Sequence, residues 1–398
     1  MEINNWQTKK LGEVCDKISL NKIKIKQKDY LFEGKYPVID QGQELIGGYF
    51  DNKDLLVPHE PPYIVFGDHT KVKKYIPFKF IAGADGVKVL KAKDNVVPKF
   101  LYYLLHTIKI ENKGYARHFQ LLEKESFLLP NDKETQQTIV SKIEELFSEL
   151  DQGIAELKKA QKQLKTYRQS VLKYAFEGRF TNLNIKEGEL PEGWEVSSIG
   201  EIFEIFIGST PKRNIPEYWG GNVNWLSSGE IAFCNITTTR EKITEEGLKN
   251  SACKVHPKGT VIIAMVGEGK TRGQAAVLKI PSAHNQNTAV IRVDEKNYSS
   301  MLLYYYLVLK YEENRRVGSG NNQKALNKER VKGIQIPVPP LSEQQQIVQE
   351  IESRLSVADK MAETINESLQ KAEVLRQSIL KRAFSGELID QKSETLSH

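Results

Sequence analysis

Arg168-Gln169-Ser170-Val171-Leu172-Lys173-Tyr174-Ala175-Phe176-Glu177-Gly178 returns 208 residues later as Arg376-Gln377-Ser378-Ile379-Leu380-Lys381-Arg382-Ala383-Phe384-Ser385-Gly386. Upstream, Gln136-Gln137-Thr138-Ile139-Val140 reappears as Gln344-Gln345-Gln346-Ile347-Val348 at the same offset. Ile143, Glu144, Ser148 and Asp151 recur as Ile351, Glu352, Ser356 and Asp359. Sixteen of the 45 aligned positions from Gln136 to Phe180 are identical, yet none of those from Gln152 to Tyr167 is. Length is kept while composition drifts, as expected of a segment whose job includes being a fixed length. A second repeat lies farther out: Trp6, Leu11, Gly12 and Glu13 match Trp194, Ile199, Gly200 and Glu201. The chain therefore duplicates itself.

Apolar residues in the first block fall at Ile139, Ile143, Leu146, Leu150, Ile154, Leu157, Ala160, Leu164, Tyr167, Val171 and Ala175. The second block has Ile347, Ile351, Leu355, Ala358, Ala362, Ile365, Leu369, Ala372, Leu375, Ile379 and Ala383. The three-and-four spacing predicts two amphipathic helices. Pro339-Pro340 stops the chain before the second helix, and Gly178 and Gly386 close the pair. About 40 residues at 1.5 Å rise make rods of roughly 60 Å. Matched rods favour antiparallel pairing with each other over separate packing on their own domains. The expected fold class is α+β: two similar α/β domains, two long antiparallel helices and an internal pseudo-two-fold repeat. The expected boundaries are 1–130 and 181–338 for the domains, 131–180 and 339–388 for the helices, and 389–398 for a tail. Short polar stretches follow both Gly178 and Gly386, so the two termini are expected to lie near each other.

Both globular regions read alike. Tyr63–Phe66, Gly86–Leu90, Thr260–Ala264 and Thr288–Val293 predict buried strands, and Phe100–Leu105 and Leu302–Leu309 predict aromatic helices. Polar loops follow at Gly114–Gln120 and Gly318–Lys324. Each region then ends in an apolar residue and proline, at Leu129-Pro130 and Ile336-Pro337.

The net charge of +6 is uneven: +5 on residues 1–130, +3 on 181–338, +1 on 131–180 and −3 on 339–398. Basic globular regions point to a polyanion. Lys22, Lys24, Lys26 and Lys28 alternate with Ile23 and Ile25, which in a strand aligns four ammonium groups for phosphate contact or for a solvated edge. Gln41, Gln43, His69, Lys71, His118 and Gln120 are further candidates for contact with DNA. In the second region they are Lys212, Arg213, Lys270, Arg272, Gln274, Asn285, Gln286, Asn287, Asn322 and Gln323. Arg and Lys suit guanine edges, and Asn and Gln suit adenine. For helix pairing and subunit docking the candidates are Ile139, Ile143, Leu150, Leu157, Leu164, Ile347, Ile351, Ile365, Leu369 and Ile379.

Other chemistries fit less well. Cys15, Cys234 and Cys253 are scattered without a CxxC, against disulfides or zinc. Met301–Leu309 is the longest apolar run, too short for a bilayer, and no signal pattern opens the sequence; a cytoplasmic location is expected. Ala264–Thr271 fits a relaxed phosphate loop, but a strand-like Leu278–Pro281 follows where a helix should begin. Glu60-Pro61-Pro62-Tyr63 resembles an adenine-methyltransferase element with a side chain one methylene too long. No catalytic site or metal set is legible.

The layout resembles the specificity subunit of type I restriction–modification systems over essentially the whole chain. The most telling residues are Pro339-Pro340-Leu341-Ser342-Glu343-Gln344-Gln345-Gln346-Ile347-Val348, the two Arg-Gln-Ser helix ends, and Gly208-Ser209-Thr210-Pro211 followed by Glu217-Tyr218-Trp219-Gly220-Gly221 and Trp225. Leu129-Pro130-Asn131-Asp132-Lys133-Glu134 departs from the family's Pro-Pro-Leu-x-Glu-Gln. The resemblance implies a non-catalytic subunit whose two domains each read half of a split, asymmetric double-stranded DNA target, with the helices as spacer. It implies two methyltransferase subunits carrying S-adenosylmethionine, and motor–nuclease subunits using ATP and Mg2+. The rival readings are an ATP-using enzyme built on Gly267–Thr271 and a coiled-coil scaffold without DNA specificity.

Overall fold

A computed structural model describes residues 6–388 other than 21–22, 85, 112–116, 183, 187, 268 and 317–325. The chain divides into two compact units, Met1–Lys158 with Asn366–His398, and Lys159–Ile365. The expected meeting of the termini falls on residues outside the described set.

Each domain is tied to its long helix by a two-stranded antiparallel ladder. In the first, Trp6–Lys10 pairs with Ser126–Pro130; in the second, Glu195–Ser198 pairs with Gln335–Val338. A one-turn helix follows in both, Leu11–Val14 and Ile199–Ile202. Glu13 and Glu201 accept from the backbone N–H of Lys10 and Ser198 at 2.7 and 2.8 Å, which accounts for the repeated glutamate.

The core sheet of the first domain has the order Cys15–Ile18, Val87–Ala92, Tyr63–Gly67, Lys73–Ile76. The second repeats it as Glu204–Ile207, Thr288–Arg292, Val261–Ala264, Ala275–Leu278, and adds Cys234–Ile236 at the edge. The central strands Tyr63–Gly67 and Val261–Ala264 are buried throughout, as continuous apolar runs require. A smaller sheet lies beside each. In the first domain Ile81–Gly83 runs parallel to Tyr36–Ile39; in the second Ala283–His284 runs parallel to Trp219–Leu226. The chain thus leaves the small sheet and enters the core sheet at the same point in both domains. The aromatic helices form over Pro98–Thr107 and Ser300–Leu309.

The two long helices are continuous over Lys133–Phe176 and Leu341–Phe384. Both end with glycine in the left-handed region, Gly178 at φ 73° and Gly386 at φ 85°. The next N–H turns back to a carbonyl five residues earlier, Arg179 to Tyr174 and Glu387 to Arg382, each at 3.1 Å.

Within the first unit, Ile139, Val140 and Ile143 share a buried cluster with Ile379, Leu380 and Ala383 of the second helix and with Phe100, Leu101, Leu104 and Leu105. Within the second unit, Leu172, Ala175 and Phe176 meet Ile347 and Ile351 over Leu302, Leu303 and Leu307. In both units, then, the start of one long helix lies against the end of the other on a domain core, and the segments run antiparallel. Phe384 meets Phe100 edge to face with ring centres 5.1 Å apart, and its repeat mate Phe176 meets Tyr306 likewise at 4.9 Å.

Burial falls off along the helices. Ile139, Ile143, Ile347 and Ile351 are fully enclosed and Ile379 nearly so, because a domain and a second helix both cover them. Leu150, Leu157, Leu164, Ile365 and Leu369 are half-buried, and Leu375, read as part of the stripe, stays 49% exposed. The globular domains therefore bury more of the stripe than helix pairing alone would. Ala372, outside both domain clusters, is enclosed because it is small, but two helices without a third layer leave larger side chains between them half-open.

Candidate nucleic-acid interface

In both domains, loops beside the passage between the sheets carry part of the polar candidate set. In the first, the Asp40–Gly47 loop is held from below: Gly42 N–H donates to Asp40 Oδ1 at 2.8 Å, and buried Lys74 reaches Asp40 at 3.6 Å and the Glu44 carbonyl at 2.5 Å. Gln41 is half-buried. Its carbonyl accepts from Thr70 Oγ1 at 2.7 Å and its Oε1 from the His69 N–H at 3.2 Å. Gln43 stands exposed at the tip of this anchored loop. Lys71 takes a left-handed φ of 61° in the turn that follows. Burial, with the charge of Lys71 second, pushes the neighbouring Lys73 down to about 8. Gln41 and His69 are thus in contact, with Gln43 and Lys71 carried on the same two loops.

The second domain builds its counterpart from different residues. Gly208 sits so close to the crossover that a Cβ there would lie 2.0 Å from the His284 carbonyl oxygen. The next residue, Ser209, donates its N–H to that oxygen at 2.9 Å. Its own carbonyl accepts from Trp225 Nε1 and Cys253 Sγ, both at 3.0 Å. Thr210 then donates to Gln286 Oε1 at 2.6 Å. Asn285 and Asn287 flank Gln286, and the Met265 N–H donates to the Asn287 carbonyl at 2.9 Å. That last bond ties the crossover to the loop bearing Lys270, Arg272 and Gln274. Lys270 is exposed; Arg272 and Gln274 are half-buried, with Arg272 Nε enclosed and unpartnered among the described residues.

Several expectations change. Among the described residues the lysine ladder is strand only at Lys24–Ile25, and Gln27–Asp29 turns as a 3-10 helix. Lys24, Lys26 and Lys28 are all exposed, but the turn breaks their alternation, because two residues of parallel pairing to Ala82–Gly83 are all the ladder the small sheet offers. Lys22, Asn322 and Gln323 lie outside the described residues.

His118 is turned inward and fully buried, its Nδ1 2.9 Å from the Asp68 carbonyl oxygen. Its neighbour Phe119 donates its N–H to Asp68 Oδ1 at 2.8 Å. This pocket closes the core, while Arg117 and Gln120 on either side of it are exposed. Asn285 is 7% exposed; its Oδ1 accepts from the Asn287 N–H at 3.1 Å, so it shapes the loop and presents no side chain outward.

Arg213 is also engaged. Its guanidinium forks onto both carboxylate oxygens of Glu241 and lies 3.8 Å over the Trp219 ring. Lys212 beside it is exposed, and its carbonyl accepts from Trp219 Nε1 at 3.3 Å. Trp225 and Trp219 thus hold the two ends of the Ser209–Lys212 loop. Thr210 itself was not singled out from sequence, although the Gly-Ser-Thr-Pro run that contains it was.

The phosphate-loop reading fails on topology. From Ala264 the chain returns antiparallel as Ala275–Leu278, and the intervening turn is closed by Gly273 N–H to Ala264 O at 2.8 Å. Among the described residues of this turn no helix begins that could receive a nucleotide phosphate. Among the described residues no group of three or more His, Cys, Asp or Glu is arranged to hold a metal, and no helix is long and apolar enough to cross a membrane.

Two copies of one loop-displaying α/β scaffold, bridged by a repeated helix, define a duplicated recognition protein. The chain belongs to the family of type I restriction modification DNA specificity domains, which it matches over residues 3–160 and 191–371. It is 26% identical over 383 residues to the Escherichia coli type I restriction enzyme EcoR124I/EcoR124II specificity subunit, covering 92% of this chain and 90% of that one. With the Salmonella potsdam StySPI specificity subunit it shares 23% over 401 residues, covering 91% and 84%. In fold it is similar to a chain from a study of complex assembly and conformational transition of the type I R-M system, with a TM-score of 0.75 at 19% identity over 96% of this chain and 98% of that one. It is also similar to the HsdS subunit from Thermoanaerobacter tengcongensis, with a TM-score of 0.59 at 20% identity over 96% and 97%.

Proposed function

We propose that this chain is the DNA-reading subunit of a type I restriction–modification assembly, with residues 1–130 and 181–338 each reading one half of a split, asymmetric duplex target. The observation that carries this reading is the paired loop cluster. The same strand order displays Gln41, Gln43, His69 and Lys71 in one domain and Thr210, Gln286, Lys270 and Gln274 in the other. One scaffold with two sets of side chains suits two half-sites of different sequence. The long helices set the unread spacer between them.

In this reading the chain performs no catalysis. Two adenine methyltransferase subunits dock on it and bring S-adenosylmethionine; restriction subunits bring ATP and Mg2+. The location is cytoplasmic, with the DNA. Basic domains and near-neutral to acidic helices suit this division between DNA and protein partners. Replacing residues 1–130 with the equivalent domain of a relative tests it: methylome sequencing of the host should show one half-site changed and the other intact. A change in both, or in neither, overturns the assignment of one domain to one half-site.

A further inference from the structure

The geometry points to Gln286 as a direct reader of adenine in the half-site bound by residues 181–338, with Thr210 as its positioning residue. The inference rests on that domain being a DNA reader and names the base it recognises.

The crossover loop from His284 to Thr288 is tied down at every residue except one. The Asn285 N–H donates to the Leu226 carbonyl at 2.9 Å, and the His284 carbonyl accepts from Ser209. Asn285 Oδ1 takes the Asn287 N–H, and Thr288 Oγ1 donates to the Asn285 carbonyl at 2.8 Å. The Asn287 carbonyl accepts from Met265. Asn285 and Thr288 are buried and Asn287 is half-buried; Gln286 alone is exposed. A side chain on such a loop is displayed with little backbone freedom left to lose on binding.

The Gln286 amide is oriented as well. Thr210 Oγ1 donates to its Oε1 at 2.6 Å, so Oε1 keeps one free lone pair and Nε2 keeps both protons. Thr210 is itself held by the close approach at Gly208 and by the two bonds to the Ser209 carbonyl. One acceptor and one donor, coplanar on one amide, match the exocyclic amine and N7 of adenine in the major groove. Guanine offers two acceptors there and leaves Oε1 opposed to O6.

The test uses the full chain with its methyltransferase partner, selecting bound duplexes from a pool randomised in both half-sites. The native chain should select two half-sites, one containing an adenine position that Gln286→Ala relaxes by about 5- to 150-fold. The other half-site should stay unchanged, which also reports that the variant is folded. Thr210→Val should weaken selection at the same position, and Thr210→Ser, which keeps the hydroxyl, should restore it. If Gln286→Ala leaves every position unchanged, or relaxes a position that is not adenine, the inference is overturned. If Thr210→Val matches the native chain while Gln286→Ala relaxes the adenine, the positioning role alone is overturned. A native chain that selects no bipartite sequence would instead overturn the functional reading beneath it.

Discussion

The Arg168 guanidinium donates to Asp359 Oδ1 at 2.6 Å, and the residues 208 positions away from each, Arg376 and Asp151, form the matching pair. In one pair the arginine comes from the first long helix and in the other from the second. Two copies of a segment running antiparallel produce this reciprocity. Both aspartates are largely exposed, so solvent screens the pairs. Arg168→Ala or Arg376→Ala should each cost less than about 1 kcal/mol in chemical denaturation. The charge-swapped double variant Arg168→Asp with Asp359→Arg should recover most of that loss, and a swap that loses more than either single change would exclude the pair as a register contact.

Gln136 and Gln344, also repeat mates, are each 1% exposed and make the same three bonds. Gln136 Oε1 accepts from the Val97 N–H at 2.7 Å and Nε2 donates to the Asn95 and Pro130 carbonyls. Gln344 Oε1 accepts from the Ser299 N–H at 2.8 Å and Nε2 donates to Asn297 and Pro339. Each amide fastens a long helix to the cap of its domain's aromatic helix. Alanine at either position leaves buried backbone groups unpaired and should cost about 2–4 kcal/mol. Alanine at exposed Gln137 should stay within about 0.5 kcal/mol. Urea unfolding of the three variants checks the ranking.

Burial holds His256 and His284 neutral, pushing them from 6.5 to about 4 and about 3. The charges of Arg292 and Lys254 act next on His256, and His256 itself next on His284. Both rings titrate near 6.5 once unfolded, so between about pH 4 and 6.5 the unfolded chain binds more protons. Stability of the second unit should therefore fall as pH drops below about 6.5, by about one proton taken up per histidine. Replacing His256 with Gln should flatten that slope in denaturation series at pH 7.5, 6 and 5; an unaltered slope would remove the ring as its source.

Removing one heptad from Gln152–Tyr167 together with its repeat mate in Lys360–Leu375 shortens both rods by about 10 Å. If the helices set the spacer, the preferred target should lose about three base pairs between otherwise unchanged half-sites. Duplex selection with the shortened chain measures this. A spacer of unchanged length would sink the ruler function.

The duplication, the helices and their closure were legible because each depends on local chemistry. The constant offset, the three-and-four apolar spacing and a glycine after the last turn can all be read along the chain. Arg168 and Asp151 were visible as repeated residues, but not as partners, since neither meets its own repeat mate. The lysine alternation at 22–28 imitated a strand, but pairing reaches only Lys24–Ile25 before the 3-10 turn at Gln27–Asp29 breaks it.

Sequence alone determined that the chain is two similar halves carrying two long helices, because periodicity and identity at fixed spacing need no third dimension. Only the tertiary structure decided which polar residues face outward. His118, Asn285 and Arg213 looked as suited to DNA as Gln43 and Gln286 do. Burial against Asp68, an Asn285–Asn287 turn and the fork onto Glu241 engage the first three, and these are contacts between residues far apart in the chain or set by a loop's exact path. A side chain's readiness to meet a base depends on what the fold has already bonded it to.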